Sequence, residues 1–318
     1  MKLKKPKFWD YKKPSIFSFL LQPFTIPFRI NNFFKEIKKN NEKYKKIKTI
    51  CVGNIYIGGT GKTPLAIKIN QILKVLNYRT TFIKKFYNES IDEQILLGKN
   101  GNCIVANVNR IQALDDAIYN NYDVAIFDDG LQDNSINYNL KFVCFNIKSF
   151  IGNGLLIPAG PLREKINSLK KYDAVFLNGN NENTHEIILE IKKQNKDINI
   201  FETSYTLTNT ETLNKKNKYI AFAGIGIPTN FYKTLTNNGF NILKFLEYPD
   251  HYEYSYNDIE KIKNTAKILR AEIITTEKDY LRIENMNAKE LLKNIYFTKM
   301  ELKIKNESEL INFLKNYI

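Results

Sequence analysis

The stretch Thr49–Pro64, TICVGNIYIGGTGKTP, constrains what this chain can fold into more than any other. Its β-branched opening, Thr49 to Val52, reads as a buried strand, and a glycine-rich turn follows with Gly58, Gly59 and Gly61. Gly61-Lys62-Thr63-Pro64 then opens a helix that runs through Leu65 to Leu76. Strand, glycine loop, Gly-Lys-Thr and helix is the layout of a phosphate-binding P-loop. Backbone N–H groups of Gly58, Gly59, Thr60 and Gly61 can curl around a polyphosphate, with the positive end of the helix behind them. Lys62 is placed to reach the outer phosphates, and the Thr63 hydroxyl to ligate Mg²⁺. The usual spacing puts glycine at position 56, where this chain has Tyr56. A plain glycine turn capped by a lysine is the competing reading, and the agreement of loop and helix placement weighs against it.

Downstream, Val124-Ala125-Ile126-Phe127-Asp128-Asp129-Gly130 has the form of a buried strand ending in carboxylates. Asp128 or Asp129, beside the P-loop, is where Mg²⁺ or its water shell needs an acidic group. Any buried strand can end in Asp, so this signal draws its weight from the P-loop upstream. The chain is long enough, at 318 residues, for two domains, and 43% hydrophobic with 25% charged residues suits a soluble α/β protein. Cys51, Cys103 and Cys144 each lie in apolar runs without a C-x-x-C pair, which argues against disulfides or zinc and for a reducing cytosol.

Most of the net charge of +15 precedes the P-loop, because residues 1–48 hold 14 Lys+Arg and 3 Asp+Glu. Within that block, Pro14 to Phe34 is dominated by apolar residues such as Phe17, Leu20 and Phe24, but Gln22, Pro23, Pro27 and Arg29 break it. An uninterrupted span of the bilayer is therefore not expected, and no small-residue cleavage site marks a secretory signal. Apolar aromatics with basic flanks suit a segment lying at the headgroup boundary of an anionic leaflet. A helix pair packed on the protein's own core is the alternative. A nucleic-acid partner is disfavoured, since the basic block is interleaved with an apolar run better suited to lipid than to bases.

The rest of the chain alternates strand and helix, which predicts mostly parallel sheets. Thr80 to Ile83, Ile104 to Ala106, Phe142 to Phe145 and Ala174 to Leu177 read as strands, and Lys84 to Asn102 as a polar, loop-like segment. Arg110 opens a helix over Ile111 to Tyr119, and the Gly- and Pro-dense loop Gly152–Glu164 carries Arg163 and Glu164. Residues 178–218 are polar and rich in Asn and Lys, which sets a boundary near 205–218, and a second α/β unit begins at Tyr219. The predicted fold is α/β: a basic, apolar, membrane-associating helical segment over 1–48, a P-loop NTPase-type domain over 49–210, and a smaller α/β domain over 211–318 that closes over the active site.

Six stretches together resemble the tetraacyldisaccharide 4′-kinase (lipid A 4′-kinase) family: VGNIYIGGTGKTP at 52–64, DDGLQ at 128–132, GNGLLIPAGPLRE at 152–164, FAGIGIPTNF at 222–231, YPDHYEYS at 248–255 and TTEKD at 275–279. The family's glycine loop likewise lacks the strict first glycine. The resemblance implies ATP-dependent phosphorylation, with Mg²⁺, of the 4′-hydroxyl of a tetraacylated glucosamine disaccharide 1-phosphate at the cytoplasmic face of the bacterial inner membrane. The partners it implies are the lipid substrate and an anionic membrane surface, with no obligate protein partner. It also implies that Asp92 is the general base: the family's Gly-Asp-Glu-Pro slot reads Ile91-Asp92-Glu93-Gln94 here. His251, in Asp250-His251-Tyr252 where the family has Asp-His-His, would orient Asp92 from the second domain. Lys62, Thr63, Asp128 and Asp129 would handle phosphates and metal, and Arg110, Arg163 and Glu164 are candidates around the nucleotide, guanidinium forks suiting phosphate oxygens. His185, in a polar Asn-rich stretch, reads as solvated. A peripheral-membrane P-loop NTPase acting as a switch is the alternative function; it leaves Asp92 and His251 idle. Thr276-Glu277-Lys278-Asp279 mimics a guanine-reading motif imperfectly and is set aside.

Overall fold

A computed structural model describes residues 5–37, 44, 46–87, 90–179, 183–286 and 289–318. Helices α1 (Ile16–Leu21) and α2 (Ile26–Ile37) precede β1 (Lys48–Gly53) and the helix it feeds, α3 (Lys62–Val75). Then come β2 (Thr80–Lys85), α4 (Ile91–Asn100), β3 (Cys103–Ala106), α5 (Arg110–Tyr119) and β4 (Val124–Asp128). β5 (Leu140–Asn146), β6 (Ala174–Asn178), α6 (His185–Gln194) and β7 (Asn199–Leu207) follow. The next run is β8 (Lys218–Ala223), α7 (Pro228–Asn237), β9 (Asn241–Glu247), α8 (Tyr256–Leu269), β10 (Glu272–Thr276), α9 (Glu277–Glu284) and β11 (Ile295–Thr298). β12 (Met300–Ile304) and α10 (Glu307–Tyr317) end the chain.

The strands form an eight-stranded sheet, β12-β7-β6-β5-β1-β4-β2-β3, and a four-stranded sheet, β11-β10-β8-β9. Among the paired strands of the described residues, only β12 and β7 run antiparallel. β1, β4 and β6 are near-continuous apolar runs because helices cover both of their faces. Alternate residues serve opposite cores: Ile50, Val52 and Phe142 meet Leu65 and Ile69 of α3, while Cys51, Phe127 and Phe145 meet the side of Leu114 and Ala117. Burying each large side chain contributes about 1.5–3 kcal/mol. Register also places chemistry, since Val52 and Lys84 both stand opposite Asp128, at the carboxyl ends of their strands.

Three expectations are corrected. The segment read as loop-like between Lys84 and Asn102 contains α4, whose Leu96 and Leu97 are buried and whose Asp92 and Glu93 suit the positive N-terminal turn of a helix. The polar stretch read without elements ahead of the boundary near 205–218 holds α6, packed on the first sheet, and β7, a strand of it, with Ile191 and Phe201 in its cores. β12 and α10 pack on the first sheet as well, because Leu302, Ile304, Leu310 and Leu314 share the core of the P-loop strand and helix. His185 begins α6, as an exposed residue.

The N-terminal segment docks with its polar side inward. A capping box between Ser15 and Ser18 starts α1, and buried Ser18 Oγ accepts from Asn153 Nδ2 at 3.0 Å. Trp9 Nε1 donates to the Pro158 carbonyl at 3.0 Å and Asn32 Nδ2 to that of Arg163 at 3.0 Å. Phe17, Leu20 and Phe24 face outward, 67%, 65% and 66% exposed. The helix pair thus docks on the protein, as the alternative reading expects, but through polar contacts, and Phe17, Leu20 and Phe24 are left out of any core. No helix among the described residues is long and apolar enough to cross a membrane.

Candidate active site

The P-loop lies between β1 and α3, as its motif predicts. Gly61 is the N-cap of α3 with φ +88°, and a Cβ there would meet the Tyr205 hydroxyl at 2.6 Å, so both backbone and space require glycine. Gly59 lies against Gly226 of the loop after β8, where a Cβ on Gly226 would come within 2.6 Å of the Gly59 backbone. The loop of the first sheet thus touches a loop of the second directly. Tyr56, in the glycine's usual place, is buried against Leu156 and Leu162 and donates its hydroxyl to Asp10 at 2.7 Å. Asn178 supports the loop from β6 by donating to the Thr60 carbonyl.

At the end of β4, Thr63 Oγ1 donates to Asp128 Oδ2 at 2.9 Å, and Lys84 Nζ donates to the same oxygen at 2.8 Å. Asp128 Oδ1 is buried with no hydrogen-bond partner among the described residues. Beside it, Asp129 has a left-handed backbone with φ +61° and faces Lys62 Nζ at 3.9 Å and Arg163 Nη1 at 3.1 Å. Burial works to raise the Asp129 pKa, but Lys62 and Arg163 prevail and hold it below the usual value. An orphaned carboxylate oxygen next to a hydroxyl fits a hard divalent cation. No group of three or more His, Cys, Asp or Glu side chains that could hold a metal ion occurs among the described residues.

A charge network leads from there to the second sheet. Glu93 Oε2 accepts from Lys84 at 2.5 Å and Glu93 Oε1 from Lys278 of α9 at 2.7 Å. Burial opposes ionisation of Glu93, yet Lys278, Lys84 and Lys62 outweigh it and hold the carboxyl well below its usual pKa. Lys84, although buried, is held above the usual lysine value by Asp128 and Glu93. Next to Glu93, Asp92 Oδ2 accepts from Arg282 Nη2 at 2.8 Å, and Oδ1 faces His251 Nδ1 at 3.7 Å. Burial pushes the Asp92 pKa up; His251, Arg282 and Lys278 more than offset this and keep it below the usual aspartate value. His251 has φ +54° and donates its N–H to the Gly224 carbonyl at 3.1 Å. Left-handed non-glycine residues such as Asp129 and His251 concentrate at functional sites.

The residues singled out in the sequence divide by role. Lys62, Thr63, Asp128, Asp129 and Arg163 surround the P-loop mouth, and Asp92 meets His251 across the two sheets. Arg110 is buried and donates to Asp133 Oδ2 at 2.8 Å and to the Asp129 carbonyl at 2.7 Å, so it holds the backbone of Asp129. Glu164 accepts from Gln132 at 3.0 Å and from the Tyr172 hydroxyl at 2.9 Å. Lys84, Glu93, Lys278 and Arg282 carried no assigned role in the sequence. Only the spacing of Lys278 and Arg282, four apart in a helical stretch, could have pointed to a shared face.

Two of the cavities that border these residues lie beside the P-loop and under the N-terminal segment. One opens between the P-loop and the second sheet, lined by Lys62, Tyr205, Ile227, Asn230, Phe231 and Met300. The other lies under the N-terminal segment, lined by Arg29, Asn32, Gln132, Glu164, Lys165 and Lys171 among others.

The family described as LpxK, tetraacyldisaccharide-1-P 4′-kinase, matches residues 17–318. A tetraacyldisaccharide 4′-kinase of Pelagibacter ubique is 54% identical over 315 residues, covering 99% of this chain and 98% of its own length. One from Rickettsia bellii is 33% identical over 301 residues, covering 89% and 90%. The crystal structure of LpxK from Aquifex aeolicus in complex with ATP has the same fold, with a TM-score of 0.70 at 23% identity over 95% of this chain and 99% of that one. By the span of that match and the identity to these relatives, the chain belongs to the tetraacyldisaccharide 4′-kinase family.

Proposed function

We propose that this chain transfers the γ-phosphoryl group of ATP to the 4′-hydroxyl of a tetraacylated glucosamine disaccharide 1-phosphate, a step of lipid A biosynthesis. The observation that carries this reading is the pairing of Asp92 with His251 at 3.7 Å, next to Glu93, whose bridge to Lys84 leads on to Asp128 and the Thr63 hydroxyl of the P-loop. A switch that only hydrolysed nucleotide would need no such acceptor-side carboxylate.

The P-loop amides and Lys62 hold the β- and γ-phosphates, and the mixed cleft lined by Tyr205, Phe231 and Met300 takes the nucleoside. Thr63, Asp128 and Asp129 would hold Mg²⁺, which when bound neutralises charge on the phosphate oxygens. Arg163, 3.1 Å from Asp129, would reach the same phosphates, while Arg110 keeps the Asp129 turn in shape. Asp92 accepts the proton of the sugar hydroxyl late, as the loose phosphoryl transition state forms, and His251 orients it. Positioning and charge neutralisation supply most of the acceleration. The cavity carrying Arg29, Lys165 and Lys171 suits the anionic sugar phosphate of the acceptor. Residues 49–210, with β12 and α10 on their sheet, form one side of this cleft and the four-stranded unit from β8 to β11 the other, with closure excluding water.

The acceptor's acyl chains stay in a bilayer, so the enzyme must work at its surface, on the cytoplasmic face of the inner membrane. The outward Phe17, Leu20 and Phe24 with their lysine-rich flanks suit that surface. Phe17→Glu combined with Leu20→Glu and Phe24→Glu should release the protein from anionic phospholipid vesicles in a flotation assay without changing its melting temperature. Undiminished flotation would place the lipid contact elsewhere. For the reaction itself, γ-labelled ATP should label the lipid disaccharide in mixed micelles only when both are present. Equal ATP turnover without lipid would favour the switch.

A further inference from the structure

Helix α9 sends two cations, one turn apart, to consecutive carboxylates on the first turn of α4: Lys278 to Glu93 and Arg282 to Asp92. Arg282 is fixed on its own side before it reaches across. Its Nη1 donates to Asp279 Oδ1 at 2.7 Å and to the Gly224 carbonyl at 2.6 Å. Asp279 is itself buried and accepts from the Thr276 hydroxyl at 2.6 Å, the Tyr254 hydroxyl at 3.0 Å and the Gly224 N–H at 3.1 Å. The Arg282 side chain is 11% exposed, so its charge acts through little water. The two oxygens of Asp92 therefore differ. Oδ2 takes the guanidinium, whereas Oδ1 lies toward His251, and a cavity lined by Asp92, His251, Glu253, Tyr254 and Arg282 opens beside them.

We propose that Arg282 is a positioning residue for phosphoryl transfer, pinning Asp92 through Oδ2 so that Oδ1 is the oxygen presented to the acceptor hydroxyl. The inference rests on reading Asp92 as the general base. In that step the acceptor O–H bond breaks and its proton passes to Oδ1. The hydroxyl oxygen forms the new P–O bond as the bond to the departing ADP oxygen breaks, and Arg282 stays protonated throughout. The charged and titratable groups around Asp92 are Arg282 and Lys278 from α9, His251 from the loop after β9 with Asp250 beside it, Glu253 and Tyr254 across the cavity, Glu93 on its own helix and Asp279 behind Arg282. Without the guanidinium, a buried carboxylate keeps its desolvation penalty and loses a main compensating charge, so its protonation is favoured.

Arg282→Gln should lower kcat by about 10²-fold, the scale of a misplaced reacting group, with KM for ATP changed by less than about twofold. The acid limb of its pH–kcat profile should move to higher pH. Arg282→Lys keeps the charge but not the fork, so the limb should stay near the native position while kcat falls between the two. Native kcat in Arg282→Gln overturns the proposal, and so does a reduced kcat with an unmoved acid limb, which marks a purely structural role. If Arg282→Gln does not fold, Arg282→Met, which removes the charge and keeps an apolar stem of similar length, must move the limb in the same direction; an unmoved limb overturns the proposal equally. Asp92→Asn assayed alongside separates the two levels, because transfer surviving that change removes the base itself whatever the Arg282 variants do.

Discussion

Asp92→Asn should lower acceptor-dependent phosphoryl transfer by about 10²–10⁴-fold while ATP still binds, the range expected for loss of a positioned general base. The substitution keeps the shape of the side chain and an oxygen for Arg282, so the expected loss is chemical rather than a collapse of α4. The low pKa of Asp92 is no obstacle to this role. His251, Arg282 and Lys278 make the carboxylate a weak base, but a sugar hydroxyl needs its proton removed only late, when the loose transition state has already made the oxygen acidic. The same depression makes a clear sign prediction. Asp92 is ionised at all pH values above the ordinary carboxylate range, so activity should be flat through neutrality as far as this group is concerned. It should fall only in acid, as pH drops through a pKa below the usual aspartate value. Labelled transfer to the lipid disaccharide measures the first effect and fluorescent-nucleotide titration the ATP affinity. Transfer retained at native rate would rule out Asp92 as the base.

What could be read in the sequence was what local rules encode. The P-loop is a contiguous strand, turn and helix, so Gly61, Lys62 and Thr63 declare their roles by spacing alone. The Asp128 strand needed only its apolar run and its place downstream. Asp92 and His251 lie 159 positions apart in the chain and came together only through the family resemblance. Lys84 illustrates what local rules miss. It ends an ordinary strand, and only the β2–β4 register, which sets it opposite Asp128, turns it into part of the site. Arg282 is similar: its meaning depends on α9 packing against α4, a contact between two sheets that no periodicity reveals. The segment before Asn102 looked like loop because its polar residues, Asp92 and Glu93 among them, point into a charge network instead of water. β12 and α10 were assigned by proximity in sequence to the second unit, whereas Leu302 and Leu310 fill the core beneath the P-loop helix.

The largest loss of stability is expected from Lys84→Met. Methionine matches the length of the lysine stem but leaves Glu93 and Asp128 facing each other without the cation that joins them. Lys84 is only 4% exposed and Asp128 fully buried, so water replaces little of what is lost. Breaking a buried ion pair from one side costs about 3–5 kcal/mol, more than a single core methyl or surface bridge could explain. The pH dependence gives the cause away. In the native protein Glu93 has a depressed pKa, so it contributes stability above the unfolded glutamate value and loses it as pH falls through the folded one. Lys84, with its raised pKa, contributes fully below the unfolded lysine value and loses its contribution only as pH rises through the folded one. At neutral pH both terms are present, so urea unfolding there should show the full loss. In the variant Glu93 protonates more readily, and the gap to the native protein should narrow as pH drops below about 4.3, the ordinary glutamate value. Adding Glu93→Gln to Lys84→Met should recover part of the neutral-pH loss, because the stranded charge is what the single variant leaves behind. A Lys84→Met protein with a native urea midpoint at neutral pH would mean that the Lys84 bridge contributes no net stability, and the site's carboxylates would then have to be held by Lys278 and Lys62 alone.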